Sequence, residues 1–256
     1  MRTVEKTLVI MEAFLDHSQE EEIGIVALAE LTGLNVSTIH RIASVLVEKG
    51  YLNQLHRRSK YSLGPKFLQF GSVTANRLTI IELALPFMAQ LNRLVNESVN
   101  LAILDSDEAV YVHCIEPPEP SYRLRIFTQV GARVPLYCTG VGKVFFANMP
   151  ETERGRYLGR SDLLKHTENT ITDRVQLKKE LSKVRRRECS IDDEEMELGV
   201  RCIAAAIRDF KGNTVAAVSI SGPATRLTDG KMRQLEPLLK NCASDISRAA
   251  GYQAED

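Results

Sequence analysis

A cluster of polar side chains lies between residues 37 and 44, in the stretch Ser-Thr-Ile-His-Arg-Ile-Ala-Ser. Hydroxyl, imidazole and guanidinium groups can hydrogen-bond to phosphate oxygens and base edges, and at the start of a helix they suit the major groove of DNA. The helical spacing leaves Ile39 and Ile42 for a protein core and turns the polar residues outward. The stretch therefore predicts a DNA-reading face formed by Ser37, Thr38, His40, Arg41 and Ser44.

Two helices joined by a glycine turn are predicted to carry this face. The first spans residues 25–32 and ends at Gly33, because glycine tolerates the left-handed conformation that closes a helix. The second runs to Gly50 and can be capped by Asn35 or Ser37. Its predicted core face consists of Ile39, Ile42, Leu46 and either Val45 or Lys49. A helical hairpin with a solvated polar face would show the same pattern.

The segment that follows the helix pair predicts a wing. Residues 51–55 and 60–63 are typical of two short strands around the basic turn at 56–59. Between Asn35 and Lys66 the sequence contains several cationic side chains and a single acidic one, Glu48, whereas residues 1–34 are acidic. A local basic surface favours contact with phosphates and makes that contact salt dependent. The wing adds Arg57, Arg58 and Lys60 to the predicted DNA contacts, although a solvated basic hairpin would look alike.

Further helices are predicted around this unit. Val4, Leu8, Met11 and Leu15 form one apolar stripe, which predicts an opening helix that completes a three-helix core. Apolar residues after residue 65 predict a linking helix at 66–79. A second helix follows through residues 81–95, with Pro86 as a kink or a restart. The apolar linker could also pair with its copy in a dimer.

From residue 98 onward the pattern changes to strands. Residues 99–104 and 109–115 predict a hairpin, residues 122–128 a strand with one wet face, and residues 200–207 with 214–220 an apolar hairpin. Helices are predicted after residue 150, after the capping residues 170–173, and near the C-terminal end. Because the strands come as hairpins rather than as alternating βαβ units, the fold class is α+β, with an antiparallel sheet flanked by helices.

The second half also contains residues that could bind a ligand. Small residues at 139–143 open a helix over 144–147, where backbone N–H groups and a helix N-terminus favour an anion such as a carboxylate. Tight packing of the loop against the helix would need the same small residues. The acidic run 192–195 could hold a metal or do acid/base chemistry, but such runs are usually solvated loops. Cys202, Ser219 and Ser221 alternate along the apolar hairpin.

Composition limits the class of protein. A chain of 256 residues with 44% hydrophobic and 26% charged residues is typical of one or two soluble globular domains. Its five cysteines are scattered and contain no C-x-x-C pair, which favours a reducing cytoplasm and argues against a disulfide framework or a structural zinc site. We find no signal peptide and no apolar run of membrane-spanning length, so we expect a cytoplasmic protein with no membrane partner.

These segments together resemble the IclR family of bacterial transcriptional regulators over essentially the whole chain. In the first half the resemblance rests on Val4-Glu5-Lys6-Thr7-Leu8, Ser37-Thr38-Ile39-His40-Arg41, Gly50-Tyr51 and Tyr61-Ser62-Leu63-Gly64. In the second half it rests on residues 139–143, 170–172, 192–195, 199–205, 216–223, 246–247 and 251–252. Many members carry Pro-Lys just before the Ser-Thr pair, whereas this chain has Asn35-Val36, which removes one phosphate contact.

The resemblance implies a winged helix-turn-helix domain at residues 1–65, a linker helix at 66–79 and a GAF-like effector domain at 80–256. It implies a homodimer or homotetramer on a partly palindromic double-stranded DNA operator. A small carboxylic, keto or sugar acid would bind the second domain and shift DNA affinity, with no enzymatic activity, no cofactor and no metal. The effector contacts carried over from the family fall on Gly140, Val141, Asp192, Val200, Cys202, Ser219 and Ser221.

The chemistry of these residues fits an acid, since N–H groups, hydroxyls and a thiol can bond carboxylate oxygens. Asp192 would repel an anion unless it is protonated or orients a hydroxyl group.

Two other functions remain open from the residues alone. A thiol enzyme could use Cys202 or Cys138 as nucleophile with His113 or His166 as base, although no local motif ties a cysteine to a histidine. A redox or metal sensor could use the same cysteines, but a buried cysteine is usually just a small apolar residue.

Overall fold

The computed structural model describes residues 2–17, 22–54, 60–75, 79–119, 128–160 and 162–252, with the side chains of residues 72–75 and 79 also outside the description. The chain divides into two compact units, an N-terminal unit of Met1–Arg77 and a C-terminal unit of Leu78–Asp256. The division falls inside the predicted linker segment at 66–79.

In the part of the N-terminal unit that is described, three helices pack around the core: α1 at Thr3–Asp16, α2 at Ile25–Thr32 and α3 at Val36–Glu48. The predicted bounds of α2 are confirmed, and Gly33 closes it in the left-handed conformation with φ 67°. Helix α3 begins one residue before the predicted Ser37. Asn35 is its N-cap, because the Asn35 side chain accepts a hydrogen bond from the Thr38 N–H at 2.9 Å.

Two predicted core faces in this unit are corrected by the structure. On α1 the buried residues are Ile10, Ala13 and Phe14, whereas Val4, Leu8 and Leu15 of the predicted stripe are exposed. The helix carries apolar residues on two faces, and periodicity alone does not tell which one packs. On α3 the fourth buried residue is Ala43; Val45 and Lys49 are exposed. Ala43 lies four residues after Ile39, so it shares the buried face of the helix.

A short antiparallel hairpin follows α3. Strand β1 covers Leu52–Asn53 and β2 covers Ser62–Leu63, so both are shorter than predicted. The predicted turn at 56–59 lies outside the described residues. Helix α4 spans Lys66–Ala75, and the ring of Tyr51 stacks on that of Phe70 with centroids 6.0 Å apart.

The described residues of the C-terminal unit form one antiparallel sheet of six strands, in the order β5-β4-β3-β8-β7-β6. This confirms the predicted antiparallel sheet and both predicted hairpins. The predicted strand at 122–128 lies outside the described residues except for residue 128. The strands are β3 Ser98–Asp105, β4 Glu108–Ile115, β5 Arg133–Pro135, β6 Ser190–Asp193, β7 Val200–Arg208 and β8 Thr214–Pro223.

Helices cover both faces of the sheet, as predicted. One core contains residues of α5 and α9 together with Ile203 and Val218 of the sheet, and the other contains residues of α6, α7 and α8 together with Ala204 and Ala217. Alternation along β7 and β8 assigns these neighbours to opposite faces. Helix α5 is not interrupted at Pro86. The helices are α5 Thr79–Val95, α6 Gly140–Asn148, α7 Glu151–Arg160, α8 Arg174–Arg187 and α9 Asp229–Ala249.

Within the described ranges, every helix is too short or too polar to cross a lipid bilayer.

Candidate functional site

The polar face predicted on α3 is exposed to solvent. Ser37, His40, Arg41 and Ser44 are exposed and Thr38 is partly buried, while Ile39 and Ile42 pack into the core below them. The position that departs from the family pattern has a structural role, since Asn35 Oδ1 accepts hydrogen bonds from the Thr38 N–H and from Ser37 Oγ. The start of α3 is therefore fixed with its polar side chains outward.

The cations near this face differ in how they are paired. Lys49 pairs with Glu48 at 2.9 Å. Arg41 forms no ion pair among the described residues, and Lys60 is exposed. Arg57 and Arg58 lie outside the described residues. Arg41 and Lys60 therefore present positive charge that no described carboxylate neutralises.

In the C-terminal unit, a pocket lies where the start of α6 meets strands β6, β7 and β8. We call it the Cys202 pocket. It encloses about 420 Å³ of empty space, part of it open to solvent. Five of the seven predicted effector residues line it: Gly140, Asp192, Val200, Cys202 and Ser221. Val141 and Ser219 are fully buried and are not on its described wall. The sequence did not predict Tyr111, Thr128, Val134, Thr139, Met196 and Glu197, which also line it.

Strand register explains why distant residues meet in this pocket. Asp192 pairs with Cys202 across β6 and β7, and Cys202 pairs with Ser221 across β7 and β8. Directly paired residues of antiparallel strands project to the same face of the sheet, so these three side chains form one row.

Helix α6 contributes two open hydrogen-bond donors. It begins at Gly140, so the predicted start at residue 144 is wrong by one turn. Thr139 caps the helix: its Oγ1 accepts from the Gly142 N–H at 3.1 Å, and its carbonyl accepts from the Lys143 N–H at 2.8 Å. The N–H groups of Gly140 and Val141 have no acceptor within the described part of the chain. Unpaired N–H groups at a helix N-terminus favour an anion.

Glycines at this helix start are also required for packing. A Cβ atom on Gly140 would lie 2.7 Å from Cys202 Sγ, and one on Gly142 would lie 2.3 Å from the Pro135 carbonyl oxygen. Both distances are well below van der Waals contact, so tight packing requires these small residues, and the anion site stays a prediction.

A buried amide joins the serines below the pocket. Asn100 of β3 is fully buried, and its Nδ2 donates to Ser221 Oγ at 3.2 Å and approaches Ser219 Oγ at 3.5 Å. Asn100 Oδ1 has no partner among the described residues. Asn100 was not among the predicted site residues. The available signal was an asparagine within an apolar strand, because a buried amide needs hydrogen-bond partners.

The acidic run at residues 192–195 is only partly exposed to solvent. Asp192 and Glu195 are only 6% and 4% exposed, whereas Asp193 is exposed. Glu195 forms an ion pair with Lys143 of α6, which is fully buried. The Asp192 carboxylate accepts a hydrogen bond from the Glu195 N–H at 2.8 Å. The prediction failed for Asp192 and Glu195 because the partner of Glu195 is distant in sequence.

Burial changes the protonation of two groups on the pocket wall. It raises the pKa of Asp192 to about 7, although the nearby Lys143 opposes the shift. It also raises the pKa of Cys202 to about 12. Near neutral pH, Asp192 therefore exists in both forms and Cys202 is a neutral thiol, so both can donate hydrogen bonds to an anion.

The predicted alternatives based on cysteine chemistry gain no support from this geometry. Burial raises the pKa of Cys138 to about 12, so this thiol is also protonated at neutral pH, whereas a nucleophilic cysteine needs a lowered pKa. His166 bonds to the Tyr137 hydroxyl at 3.0 Å. Among the described residues, no three His, Cys, Asp or Glu side chains are grouped so that they could hold a metal ion.

Comparison with known families matches both units. The family described as "IclR helix-turn-helix domain" matches residues 3–56, and the family described as "Bacterial transcriptional regulator IclR C-terminal" matches residues 72–248. The second match alone covers more than half of the chain.

Individual relatives are similar in sequence to this chain along most of their length. The transcriptional regulator KdgR of Escherichia coli is 34% identical over 234 residues, covering 91% of this chain and 88% of KdgR. The transcriptional repressor IclR of the same organism is 32% identical over 235 residues, covering 90% and 85%. The crystal structure of Thermotoga maritima IclR superposes with a TM-score of 0.78 at 32% identity, covering 98% of this chain and 99% of that one.

Proposed function

Because this chain belongs to the IclR family of DNA-binding transcriptional regulators, we propose that it binds a partly palindromic operator and that a small carboxylic, keto or sugar acid controls this binding. The acid occupies the Cys202 pocket of the C-terminal unit. The helix-turn-helix and wing of the N-terminal unit contact the DNA, and we place the protein in the cytoplasm, where bacterial DNA lies.

The proposed DNA contacts divide into two groups. Ser37, Thr38, His40, Arg41 and Ser44 on α3 face base edges and nearby phosphates. Arg57, Arg58 and Lys60 of the wing contact phosphates, which position the protein without reading sequence. Four of the five α3 residues are exposed, and no described carboxylate pairs with Arg41; both observations support the first group.

A homodimer or homotetramer follows from the proposed operator. Two helix-turn-helix units related by twofold symmetry read two half-sites of a palindrome, each inserting one recognition helix.

The observation that carries the effector proposal is the pair of unpaired N–H groups at Gly140 and Val141. They begin a helix that opens at a pocket lined by Cys202, Ser221 and Asp192, each able to donate a hydrogen bond to a bound anion. Beside these polar groups the wall has an apolar part formed by Val134, Met196 and Val200, and ligand pockets commonly combine apolar walls with a few polar groups.

A ligand screen on Ser221→Ala tests the proposal. We expect thermal-shift screening of the full chain against small carboxylic, keto and sugar acids to yield stabilising acids, and calorimetry to show about fivefold to tenfold weaker binding to Ser221→Ala, since one hydrogen bond is removed. Operator binding without acid should not change. Ser106→Ala, at an exposed turn, is the matched control. Equal acid affinity in the wild-type protein and Ser221→Ala would exclude the Cys202 pocket as the acid site.

A further inference from the structure

A second cleft in the C-terminal unit lies at the opposite end of α6, between α8, β7 and α9. We call it the basic cleft and define it by Arg185, Arg208 and Lys240 on its wall. It encloses about 800 Å³ of empty space, including a part open to solvent, above an apolar floor that contains Val144 and Val184. Its lining shares no residue with the described lining of the Cys202 pocket.

Two arginines of the cleft bond only to neutral groups among the described residues. Arg185 Nε donates to the Ala147 carbonyl oxygen. Arg208 donates to Asn148 Oδ1 and to the Gly212 carbonyl oxygen, both at 3.1 Å. Both guanidinium groups are thus held near the last turn of α6, without a described carboxylate as partner.

The third cation is only partly compensated. Lys240 pairs with Glu236 at 2.8 Å, but the same carboxylate also accepts hydrogen bonds from Arg187. The single negative charge of Glu236 therefore compensates the positive charges of both Lys240 and Arg187. Among the described residues that line the cleft, Glu188 is the sole acid.

The negative end of the α6 dipole explains part of this cluster of cationic side chains, but not all of it. Arg154 donates to the same Ala147 carbonyl oxygen at 3.3 Å. Burial and the positive charge of the nearby Arg185 lower the pKa of Arg154, while Glu151 opposes the shift. A helix C-terminus carries about half a negative charge. That is too little to balance both Arg185 and Arg208.

We propose that the basic cleft binds a small organic anion with two or more negative charges, of the polycarboxylate or phosphate-ester class. The guanidinium groups of Arg185 and Arg208 match carboxylate and phosphate oxygens in geometry and charge. The hydroxyl of Ser244, also on the wall, can donate to a further oxygen. The apolar floor accommodates a carbon skeleton, which distinguishes this site from one for a bare inorganic ion. This proposal does not depend on whether an acid binds in the Cys202 pocket.

Calorimetric titration of the full chain with citrate and with glycerol 3-phosphate, at constant ionic strength, tests this site. Removing one charged hydrogen-bond donor should weaken binding about tenfold or more, so we expect this decrease in Arg208→Gln. Lys240→Gln should also weaken binding, and it leaves the backbone contact between Arg208 and Gly212 in place. Arg156→Gln, which removes an exposed positive charge from α7, is the matched control and should bind like the wild-type protein.

Each result decides the proposal. Binding of either probe that both cleft variants weaken supports it, and the preferred probe identifies the polycarboxylate or the phosphate-ester class. The proposal fails if neither probe binds the wild-type protein, or if Arg208→Gln and Lys240→Gln both bind like the control. It also fails if Ser221→Ala, rather than the cleft variants, removes binding, since the probe would then occupy the Cys202 pocket.

Discussion

Asp192 is the one acidic side chain in the row that also contains Cys202 and Ser221, so it decides how an anion can be held there. Its ionised form would repel a carboxylate, whereas its protonated form can donate a hydrogen bond to one. Burial raises the pKa of Asp192 to about 7. It outweighs Lys143 and the N–H groups of Glu195 and Met196, which favour ionisation, while the Glu195 carboxylate adds to the increase. Binding should therefore depend on pH in the physiological range.

We expect the affinity of the Cys202 pocket for an acid to fall as pH rises. Because the protonated form of Asp192 is depleted above its pKa, affinity should drop by up to about tenfold for each pH unit above 7. Asp192→Asn keeps an uncharged group that can donate a hydrogen bond, so its affinity should not vary between pH 6 and pH 8. Calorimetry across this range measures both.

Asp193→Asn is the control for this experiment, because Asp193 is the exposed neighbour on the same strand. It should keep the pH dependence of the wild-type protein. A flat profile in the wild-type protein, or an unchanged slope in Asp192→Asn, would contradict the assigned role of Asp192.

Individual residues of the pocket were predictable to different degrees. Gly140, Cys202 and Ser221 were found because the chain resembles a family over its whole length, and the structure places them on one wall. Asn100 and Lys143 were missed. The partners of Asn100 lie on β8 and the partner of Lys143 is Glu195, so sequence spacing carries no information about these contacts.

At the scale of elements, helices with local signals were predicted well. Asp173 caps α8, so the start of this helix followed from neighbouring residues. Strands β5 and β6 were missed because they are only 3 and 4 residues long, too short for alternation to identify. The buried face predicted for α1 was wrong because the helix has two apolar faces, and its tertiary contacts determine which of them is buried.

The buried ion pair joins α6 to the turn after β6, and we expect it to stabilise the position of the pocket's helix. Lys143→Met should lower the free energy of unfolding by about 3 to 5 kcal/mol, because Glu195 would remain buried without a partner. Lys143→Met combined with Glu195→Leu should restore most of this stability, since no unpaired charge remains. Chemical denaturation followed by circular dichroism measures both variants.

An exposed pair provides the comparison. Lys183 pairs with Glu180 on α8 at 3.2 Å, and the side chain of Lys183 is 65% exposed. Lys183→Met should change stability by less than about 1 kcal/mol. Equal effects of Lys143→Met and Lys183→Met would show that the buried pair has no special structural role.

For the whole molecule, regulation requires that the acid and the DNA favour different states of the protein. An acid that binds both states equally cannot change DNA affinity, however tightly it binds. Typical coupling energies of about 1 to 3 kcal/mol correspond to changes in affinity of about 5-fold to 150-fold. Because coupling is reciprocal, operator DNA should change the affinity for the acid by the same factor. Calorimetric titration of the acid with and without DNA therefore measures the same coupling energy.

Charge distribution over the whole chain decides how the protein meets DNA. The net charge is zero, so attraction to the duplex must come from local cations. Arg41 on α3 is exposed and unpaired among the described residues, whereas Lys49 near the end of the same helix is paired with Glu48. This difference separates a cation available for DNA from one that is already neutralised.

We therefore expect Arg41→Ala to weaken binding by about tenfold or more to a duplex that the wild-type protein selects from a random-sequence library, with a smaller effect on unselected DNA. Arg57→Ala with Arg58→Ala should weaken binding to any duplex and lower the salt slope by about 2, because each arginine would otherwise neutralise one phosphate. Lys49→Ala is the control and should bind like the wild-type protein. Gel-shift titrations at several salt concentrations measure these effects. If Arg41→Ala and Lys49→Ala bind the selected duplex equally well, α3 does not read the operator through Arg41.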